Sequence, residues 1–185
     1  MSTPVQPPPR GLRPGDRTTV SIRLATFADA EAILAIYNVE VENHTSTFDL
    51  VPRTLEGQRN WLTERSGAFA AVVATMENPD GEEQVVGFAS LSPYKERPAY
   101  RPTVENSVYV SRDHGGLGIG RTIMEHLIEL ARESGFHSMI ARIEAGSDAS
   151  LALHGACGFD LVGVEKEVGR KFNRWLSTAV MQKML

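Results

Sequence analysis

The chain has 185 residues, of which 42% are hydrophobic and 23% charged, and this balance predicts one globular domain with a real core. The formal net charge of -4 gives no general attraction to phosphate backbones, so the expected partner is a small molecule rather than nucleic acid. A single cysteine, Cys157, excludes an internal disulfide framework and a cysteine-rich zinc site, and no metal is expected. Without a secretory signal or a run of roughly 20 apolar residues, a cytoplasmic location without a membrane partner is predicted.

The first 18 residues predict a disordered, proline-rich tail. They contain five of the ten prolines and few large apolar side chains, so they cannot bury enough surface to offset the entropy of ordering. A proline-rich ligand for another domain is the alternative, but the segment lacks a clear PxxP repeat beside basic residues. The predicted domain therefore spans residues 19–185.

The first part of that domain predicts a strand followed by two helices. Apolar residues alternate from Val20 to Leu24, as in a strand. Asp29 is placed to cap the first helix, whose buried face is indicated by three- and four-residue steps along Ala32, Ile33, Ile36, Tyr37 and Glu40. Thr54 begins the second helix after a loop, and Gly67 ends it.

The remainder predicts six strands and two helices. Runs at 69–75 and 84–91 flank the turn Asn78-Pro79-Asp80-Gly81 and form a hairpin. The elements expected after it, in chain order, are a strand at 103–110, a helix at 118–133, a strand at 138–143, a helix at 148–157 and strands at 161–168 and 176–184. The resulting order βααβββαβαββ is typical of an α/β or α+β domain with a mixed sheet.

Between Val108 and Arg121 a strand runs through four glycines directly into an amphipathic helix. Such a turn presents unpaired N–H groups at the positive end of a helix, and glycine permits close approach of an anion. A plain turn with a helix cap is the alternative. A Walker A loop would need Lys and Ser/Thr after Gly120, where Arg121 and Thr122 stand, and a Rossmann turn would come in the first βα unit.

Several separated motifs, taken in order, resemble the GNAT acetyltransferases. They are the strand Val108-Tyr109-Val110 with its glycine turn, and the later stretch Leu153-His154-Gly155-Ala156-Cys157-Gly158-Phe159. Within that superfamily the chain is most similar to the phosphinothricin and methionine sulfoximine N-acetyltransferases, through Ile36-Tyr37-Asn38, Thr47-Phe48, Thr103-Val104-Glu105 and Gly169-Arg170-Lys171-Phe172-Asn173-Arg174-Trp175. The resemblance covers residues 21–185 and implies a single GNAT domain, a mixed and mostly antiparallel sheet flanked by helices.

The resemblance implies that acetyl-CoA is the co-substrate. Its pantetheine arm would pair with the backbone of Val108, Tyr109 and Val110, and its pyrophosphate would lie on Gly116, Leu117, Gly118, Ile119, Gly120 and Arg121. Two positions depart from the family's pattern: Gly115 stands where an Arg or Gln is usual, and Ser147 where an Asn often contacts the cofactor. Backbone amides are therefore expected to carry most of the pyrophosphate binding.

The same resemblance implies two catalytic side chains. The acceptor amine must lose a proton to attack the thioester, and the departing thiolate must gain one. Glu105 matches the Glu of the family's Thr-Val-Glu segment and is the candidate base, acting directly or through a water; a solvated strand carboxylate is the alternative. His154 either protonates the thiolate or orients the site.

The family's acceptor loop corresponds to the segment before Glu105, which contains Arg97, Pro98, Ala99, Tyr100 and Arg101. Arg97 or Arg101 can bind a substrate carboxylate in a bidentate manner. The aromatic residues Tyr37, Phe48 and Trp175 are the candidate pocket walls, and each is alternatively a core or interface residue.

The acceptor implied by the resemblance is the α-amine of a small amino-acid-like compound, such as phosphinothricin, methionine sulfoximine or methionine sulfone. A polyamine, an aminoglycoside or a protein N-terminus is the second interpretation, and a non-catalytic acyl-CoA-binding sensor is the third. The resemblance also implies a homodimer, in which residues 171–175 reach across to the other subunit.

Overall fold

The computed structural model describes residues 19–65 and 67–185. Its strands are β1 Ser21–Leu24, β2 Ala71–Glu77, β3 Glu83–Pro93, β4 Thr103–Val110, β5 Ser138–Glu144, β6 Asp160–Lys171 and β7 Arg174–Met184. Its α-helices are α1 Ala30–Asn43, α2 Leu55–Glu64, α3 Ile119–Glu133 and α4 Asp148–Ala156. The predicted element order is confirmed within these residues, whereas the predicted tail at 1–18 lies outside them.

All seven strands belong to one sheet, in the order β1-β2-β3-β4-β5-β7-β6. Only β4 and β5 run parallel, and every other neighbouring pair is antiparallel, which confirms the mixed sheet. β4 and β5 pair at three positions, the last of which joins Glu105 to Ile140. Beyond that point β4 and β5 no longer pair with each other, although each still pairs with its other neighbour, so the sheet splits between them.

Helices cover both faces of the sheet. The amphipathic stripe of α3 is buried against one face, as predicted from its periodicity, through Ile123, Leu127, Ile128 and Ala131. Helices α1 and α2 bury Ile33, Tyr37 and Leu62 against the other face. Burying one such large apolar side chain contributes about 1.5–3 kcal/mol to the free energy of unfolding. The helices packed on both faces therefore stabilise the sheet where β4 and β5 separate.

One local prediction was wrong. Asp29 precedes α1, but its carboxylate makes no capping bond to that helix. It accepts instead from the Thr26 backbone N–H at 2.7 Å and from the Arg23 guanidinium at 2.8 Å. Charge-assisted bonds from Arg23 are stronger than a bond from a neutral amide, and they turn the carboxylate toward β1. The second helix begins at Thr54 as predicted, and Thr54 Oγ1 caps it by accepting from the Gly57 N–H at 3.0 Å.

The last two strands are longer than predicted and form a tight hairpin. β6 extends to Lys171 and β7 begins at Arg174, so only Phe172 and Asn173 connect them. Both connecting residues have positive φ angles, 48° and 58°. Two positive φ angles in a two-residue turn match the right-handed twist of the strands that it joins.

Candidate active site

A cavity of about 600 Å³ occupies the split between β4 and β5. The loop after α1 and the first turns of α4 form its other walls. The structure brings to this cavity seven of the candidate catalytic and binding residues predicted from the sequence: Phe48, Glu105, Val108, Tyr109, Val110, Ser147 and His154.

The β4 edge of the cavity offers unpaired backbone groups. The Ser111 N–H donates to Val86 O on β3 at 2.8 Å. Because alternate residues of a strand direct their backbone groups to opposite neighbours, the N–H and C=O groups of Val108 and Val110 face the split. The backbone of Tyr109 points to β3 instead, and its ring stacks on Phe88 with centroids 5.2 Å apart. An extended ligand can therefore pair with β4 as an added strand.

The glycine turn follows directly from this edge. Gly116 and Gly118 have φ angles of 76° and 80°, a conformation that other residues adopt only at a cost. Within the described residues, the N–H groups of 116–120 have no hydrogen-bond acceptor. Free amides at the start of α3 suit an anion, so the turn fits a pyrophosphate.

Gly120 has a packing role that sequence reasoning missed. A Cβ atom added there would lie 3.2 Å from Leu153 Cδ2 on α4. The glycine thus lets α3 and α4 approach closely. The neighbouring Arg121 is exposed and its side chain pairs with Glu125 at 2.8 Å. Its backbone N–H donates to Gly118 O at 3.1 Å, so Arg121 is not among the residues with free amides, contrary to the prediction.

Glu105 lies at the inner end of the split, at the last paired position of β4. Burial raises the pKa of its carboxyl group; Arg142 opposes this effect and Glu165 adds to it. No side chain or backbone group in the described part of the chain donates a hydrogen bond to this carboxylate. A half-buried carboxylate with a raised pKa and free lone pairs is suited to accept a proton.

His154 is buried at 2% exposure, and both of its ring nitrogens are engaged. Nδ1 lies 2.8 Å from Ser150 O, which can only accept, so Nδ1 carries the proton. Nε2 lies 3.0 Å from Asn106 Nδ2 and accepts from it in the neutral ring. Burial lowers the pKa of His154, in keeping with this neutral form.

Asn106 was not among the residues predicted from the sequence. It is 6% exposed, and its Oδ1 atom is buried with no hydrogen-bond partner among residues 19–65 and 67–185. A signal was available, because Asn106 stands at a strand position where its alternate neighbours Val104 and Val108 are apolar and face α3. A polar residue in an inward-facing series indicates a specific partner, here His154.

The acceptor side of the cavity is formed by the loop after α1. Phe48 lines the cavity, whereas Tyr37 lies beneath the loop. The Tyr37 hydroxyl bonds Thr47 Oγ1 at 3.0 Å and donates to Asp49 Oδ2 at 2.6 Å. Burial raises the pKa of Tyr37 to about 12, so it stays protonated and supports the loop.

Two predicted parts of the acceptor site lie away from the cavity. The segment containing Arg97, Pro98, Ala99, Tyr100 and Arg101 forms an exposed turn between β3 and β4, and no member of it lines the cavity. Trp175 is 61% exposed at the start of β7 and does not line it either. The acceptor-binding roles of these residues remain predictions, because within one copy of the chain the residues lie away from the cavity.

Two further properties concern the described residues as a whole. None of their helices is long and apolar enough to cross a bilayer. They also contain no group of three or more His, Cys, Asp and Glu side chains arranged to hold a metal ion.

Comparison with known proteins agrees with this geometry. A family model described as an acetyltransferase (GNAT) domain matches residues 22–180. The chain belongs to this family. The GNAT relatives include an L-methionine sulfoximine/L-methionine sulfone acetyltransferase of Pseudomonas aeruginosa, 40% identical over 89% of this chain and 94% of that protein.

Solved GNAT structures superpose on the same fold. A ribosomal-protein-alanine N-acetyltransferase from Brucella melitensis is 46% identical, with a TM-score of 0.84 over 89% of this chain and 99% of that one. A phosphinothricin acetyltransferase from Sinorhizobium meliloti, solved in complex with acetyl-CoA, is 36% identical, with a TM-score of 0.84 over 90% of this chain and 89% of that one. The protein is therefore an acyltransferase of the branch that contains the phosphinothricin and methionine sulfoximine enzymes.

Proposed function

We propose that this protein transfers the acetyl group of acetyl-CoA to the α-amine of a small amino-acid-like acceptor of the methionine sulfoximine, methionine sulfone or phosphinothricin type. The observation that carries the proposal is the continuous path along the split sheet. The open edge of β4 at Val108 and Val110 leads outward to the free amides of 116–120 and inward to Glu105.

The donor half of the proposal rests on backbone groups. Val108 and Val110 would pair with the amide-bearing arm of the donor, and the free amides of the glycine turn would hold its pyrophosphate. Ser147, at the start of α4, lines the cavity and supplies a hydroxyl. The thioester that acetyl-CoA brings is the group that the acceptor amine attacks.

The chemical half assigns different roles to Glu105 and His154. Glu105 would accept the proton that the amine loses as its nitrogen bonds the acetyl carbon, because its raised pKa makes it a better base than an exposed carboxylate. The C–S bond of the thioester breaks in this transfer, and the coenzyme A thiolate that leaves would take its proton from solvent in the open cavity. Neither ring nitrogen of His154 has an N–H free to protonate the thiolate, because Nδ1–H donates to Ser150 O and Nε2 accepts from Asn106. We therefore assign His154 the role of orienting the site. Its neutral ring would fix Asn106 and the adjoining part of β4.

We also propose that the protein acts as a homodimer. β6 forms the outer edge of the sheet and presents exposed apolar side chains, among them Leu161, Val162, Val164 and Val168. An exposed apolar edge strand is a surface that soluble proteins normally cover. A second copy seated there would bring its 172–175 turn, with Trp175, toward the acceptor side, whereas Lys171 is buried within its own chain. Sedimentation velocity tests this, since a monomer at micromolar concentration contradicts it.

The acetyl-transfer proposal is tested by release of CoA thiol. Acetyl-CoA is mixed with L-methionine sulfone, L-methionine sulfoximine or phosphinothricin, with spermidine and an aminoglycoside as cationic comparisons. We expect turnover with at least one amino-acid-like amine and a much lower kcat/KM with the cationic amines. Tight acetyl-CoA binding without turnover on any acceptor would support a non-catalytic sensor instead.

A protein N-terminus is the second candidate acceptor. The observation in its favour is the 46% identity to the Brucella protein, whose name specifies ribosomal-protein alanine. The same assay with a peptide that begins with alanine separates the two candidates. A kcat/KM for the peptide above that of every free amino acid would move the acceptor assignment to protein.

A further inference from the structure

An ion pair between a buried carboxylate and a largely exposed guanidinium joins the donor side of the site to the acceptor side. Glu40, near the end of α1, is 3% exposed, and Arg112 lies in the turn that follows β4. Arg112 Nε donates to Glu40 Oε1 at 2.7 Å, and its Nη2 donates to Glu40 Oε2 at 2.6 Å. Both residues line the cavity. The mechanism proposed above uses neither of them.

The pair is a directional contact rather than a general attraction. Burial alone would raise the pKa of Glu40, but hydrogen bonds from Arg112 and Ser46 outweigh it and hold the pKa below its ordinary value. A buried carboxylate is costly unless it is paired and hydrogen-bonded, so the position of each partner depends on the other. The two-pronged geometry also fixes the plane of the guanidinium.

The carboxylate continues into the acceptor loop, by which we mean residues 44–49. Ser46 Oγ donates to Glu40 Oε2, the same oxygen that Arg112 Nη2 bonds. Lys171 on β6 donates from Nζ to Thr47 O at 2.8 Å and to Glu40 O at 3.3 Å. Within the acceptor loop, Ser46 and Thr47 line the cavity together with Phe48.

Arg112 is equally close to the donor loop in the chain. It lies two residues after Val110 and four before Gly116, the first free amide of the glycine turn. A phosphate held on residues 116–120 would restrict the turn 111–115 and therefore the guanidinium. With the Arg112 guanidinium restricted, its two hydrogen bonds would fix the Glu40 carboxylate, and this carboxylate would in turn fix Ser46 through the bond from Ser46 Oγ.

We propose that the Glu40–Arg112 pair is a positioning device that transmits occupancy of the donor site to the acceptor loop. Binding of the donor would order the loop that receives the amine, so each ligand would favour the other, as linkage requires. This inference rests on the proposed use of acetyl-CoA. It adds two residues, Glu40 and Arg112, whose effect is exerted through the turn and the loop rather than on reacting atoms.

Hydrogen–deuterium exchange of the full chain, with coenzyme A as the probe, tests the link without any acceptor. In the wild type, coenzyme A should slow amide exchange in residues 116–121 and also in the acceptor loop. In Glu40→Gln, protection of 116–121 should remain while protection of the loop falls about fivefold or more. Equal loop protection in Glu40→Gln and in the wild type overturns the inference.

Two further variants exclude a merely structural effect. Glu129→Gln makes the same change in an exposed pair with Arg132 on α3 and should leave loop protection at the wild-type level. Ser46→Ala removes only the last link of the chain, at an exposed residue, and should abolish loop protection with protection of 116–121 intact. Because Ser46→Ala keeps the Glu40–Arg112 pair, it still tests the inference if Glu40→Gln folds poorly. Unchanged loop protection in Ser46→Ala also overturns the inference.

The kinetic readout is a split between KM and kcat. With L-methionine sulfone as acceptor, Ser46→Ala should raise the acceptor KM about fivefold and change kcat less than twofold. The possible failures are distinguishable. Absence of protection at 116–121 in the wild type overturns the donor proposal together with this inference, whereas protection there without protection of the acceptor loop overturns the inference alone.

Discussion

The two sides of the active site are built in different ways. The proposed donor side comes mainly from one continuous stretch, residues 108–121, and it presents mainly backbone groups of β4 and the glycine turn. The acceptor side is assembled from distant parts of the chain, as in the bond from Lys171 to Thr47, which are 124 residues apart in sequence. The donor side should therefore respond to changes in backbone conformation, and the acceptor side to changes in side-chain contacts.

The largest effect is expected where the two sides meet, at Glu105→Gln. Loss of the base should lower kcat by about 10²–10⁴-fold, with acetyl-CoA affinity nearly unchanged. In the wild type, kcat/KM should fall as pH drops through the raised pKa of Glu105, because the protonated carboxyl group cannot accept a proton. Rapid-mixing turnover and isothermal titration measure the two quantities; a kcat within threefold of the wild type contradicts the assignment.

The donor side is tested by a backbone change at Gly118→Ala. Its φ of 80° would cost an alanine about 1–2 kcal/mol, so the turn should relax and the Kd for acetyl-CoA should rise about tenfold. Gly81→Ala is the matched control, because Gly81 has the same φ of 80° in the β2–β3 turn. If both variants bind acetyl-CoA as the wild type does, the glycine turn is not the donor site.

A side-chain contact is the corresponding test of the acceptor side. A Cβ atom at Gly169 on β6 would lie 2.4 Å from Phe48 Cε2, so Gly169→Ala should displace that ring. Displacing a packed ring costs on the order of 1 kcal/mol, which predicts an acceptor KM about fivefold higher at unchanged acetyl-CoA Kd. Gly163→Ala, on the same strand with nothing within 4 Å of the added atom, should leave KM unchanged.

The smallest expected effect on turnover, and the most direct on protonation, is that of Asn106→Asp. The carboxylate would replace an amide that donates to His154 Nε2 over 3.0 Å, so the charged imidazolium gains an acceptor. The pKa of His154, lowered by burial in the wild type, should therefore be higher in the variant, as an NMR titration would measure. Asn43→Asp, which adds the same charge at an exposed site on α1, should leave that titration unchanged.

The same division determines how much the sequence could predict. The strands and helices of the described residues follow from local periodicity, and the glycine turn follows from its composition, so the fold and the donor side were accessible. Asn106 was also accessible, as a polar residue among inward-facing valines. These features depend on neighbours within a few positions along the chain.

The Glu40–Arg112 pair and the contact of Phe48 with Gly169 depend on residues that the fold alone brings together. Glu40 and Arg112 are 72 positions apart, and neither has a local pattern that indicates an ion pair between them. The capping role predicted for Asp29 was wrong for a related reason, since Arg23 on the preceding strand provides the stronger partner. Periodicity indicates which face of a helix is buried, but it does not indicate which charged residue from a distant part of the chain will pair with a residue on that face.

The parting of β4 from β5 also has a consequence for the lifetime of the protein. A sheet held across its centre by three residue pairs exposes a strand edge that proteases and other chains can engage when no donor is bound. A donor that completes the ladder would add stability according to its concentration, about 2.7 kcal/mol at one hundred times its Kd. The abundance of the enzyme would then follow the supply of the proposed donor, because a smaller supply would leave more of the protein open to degradation.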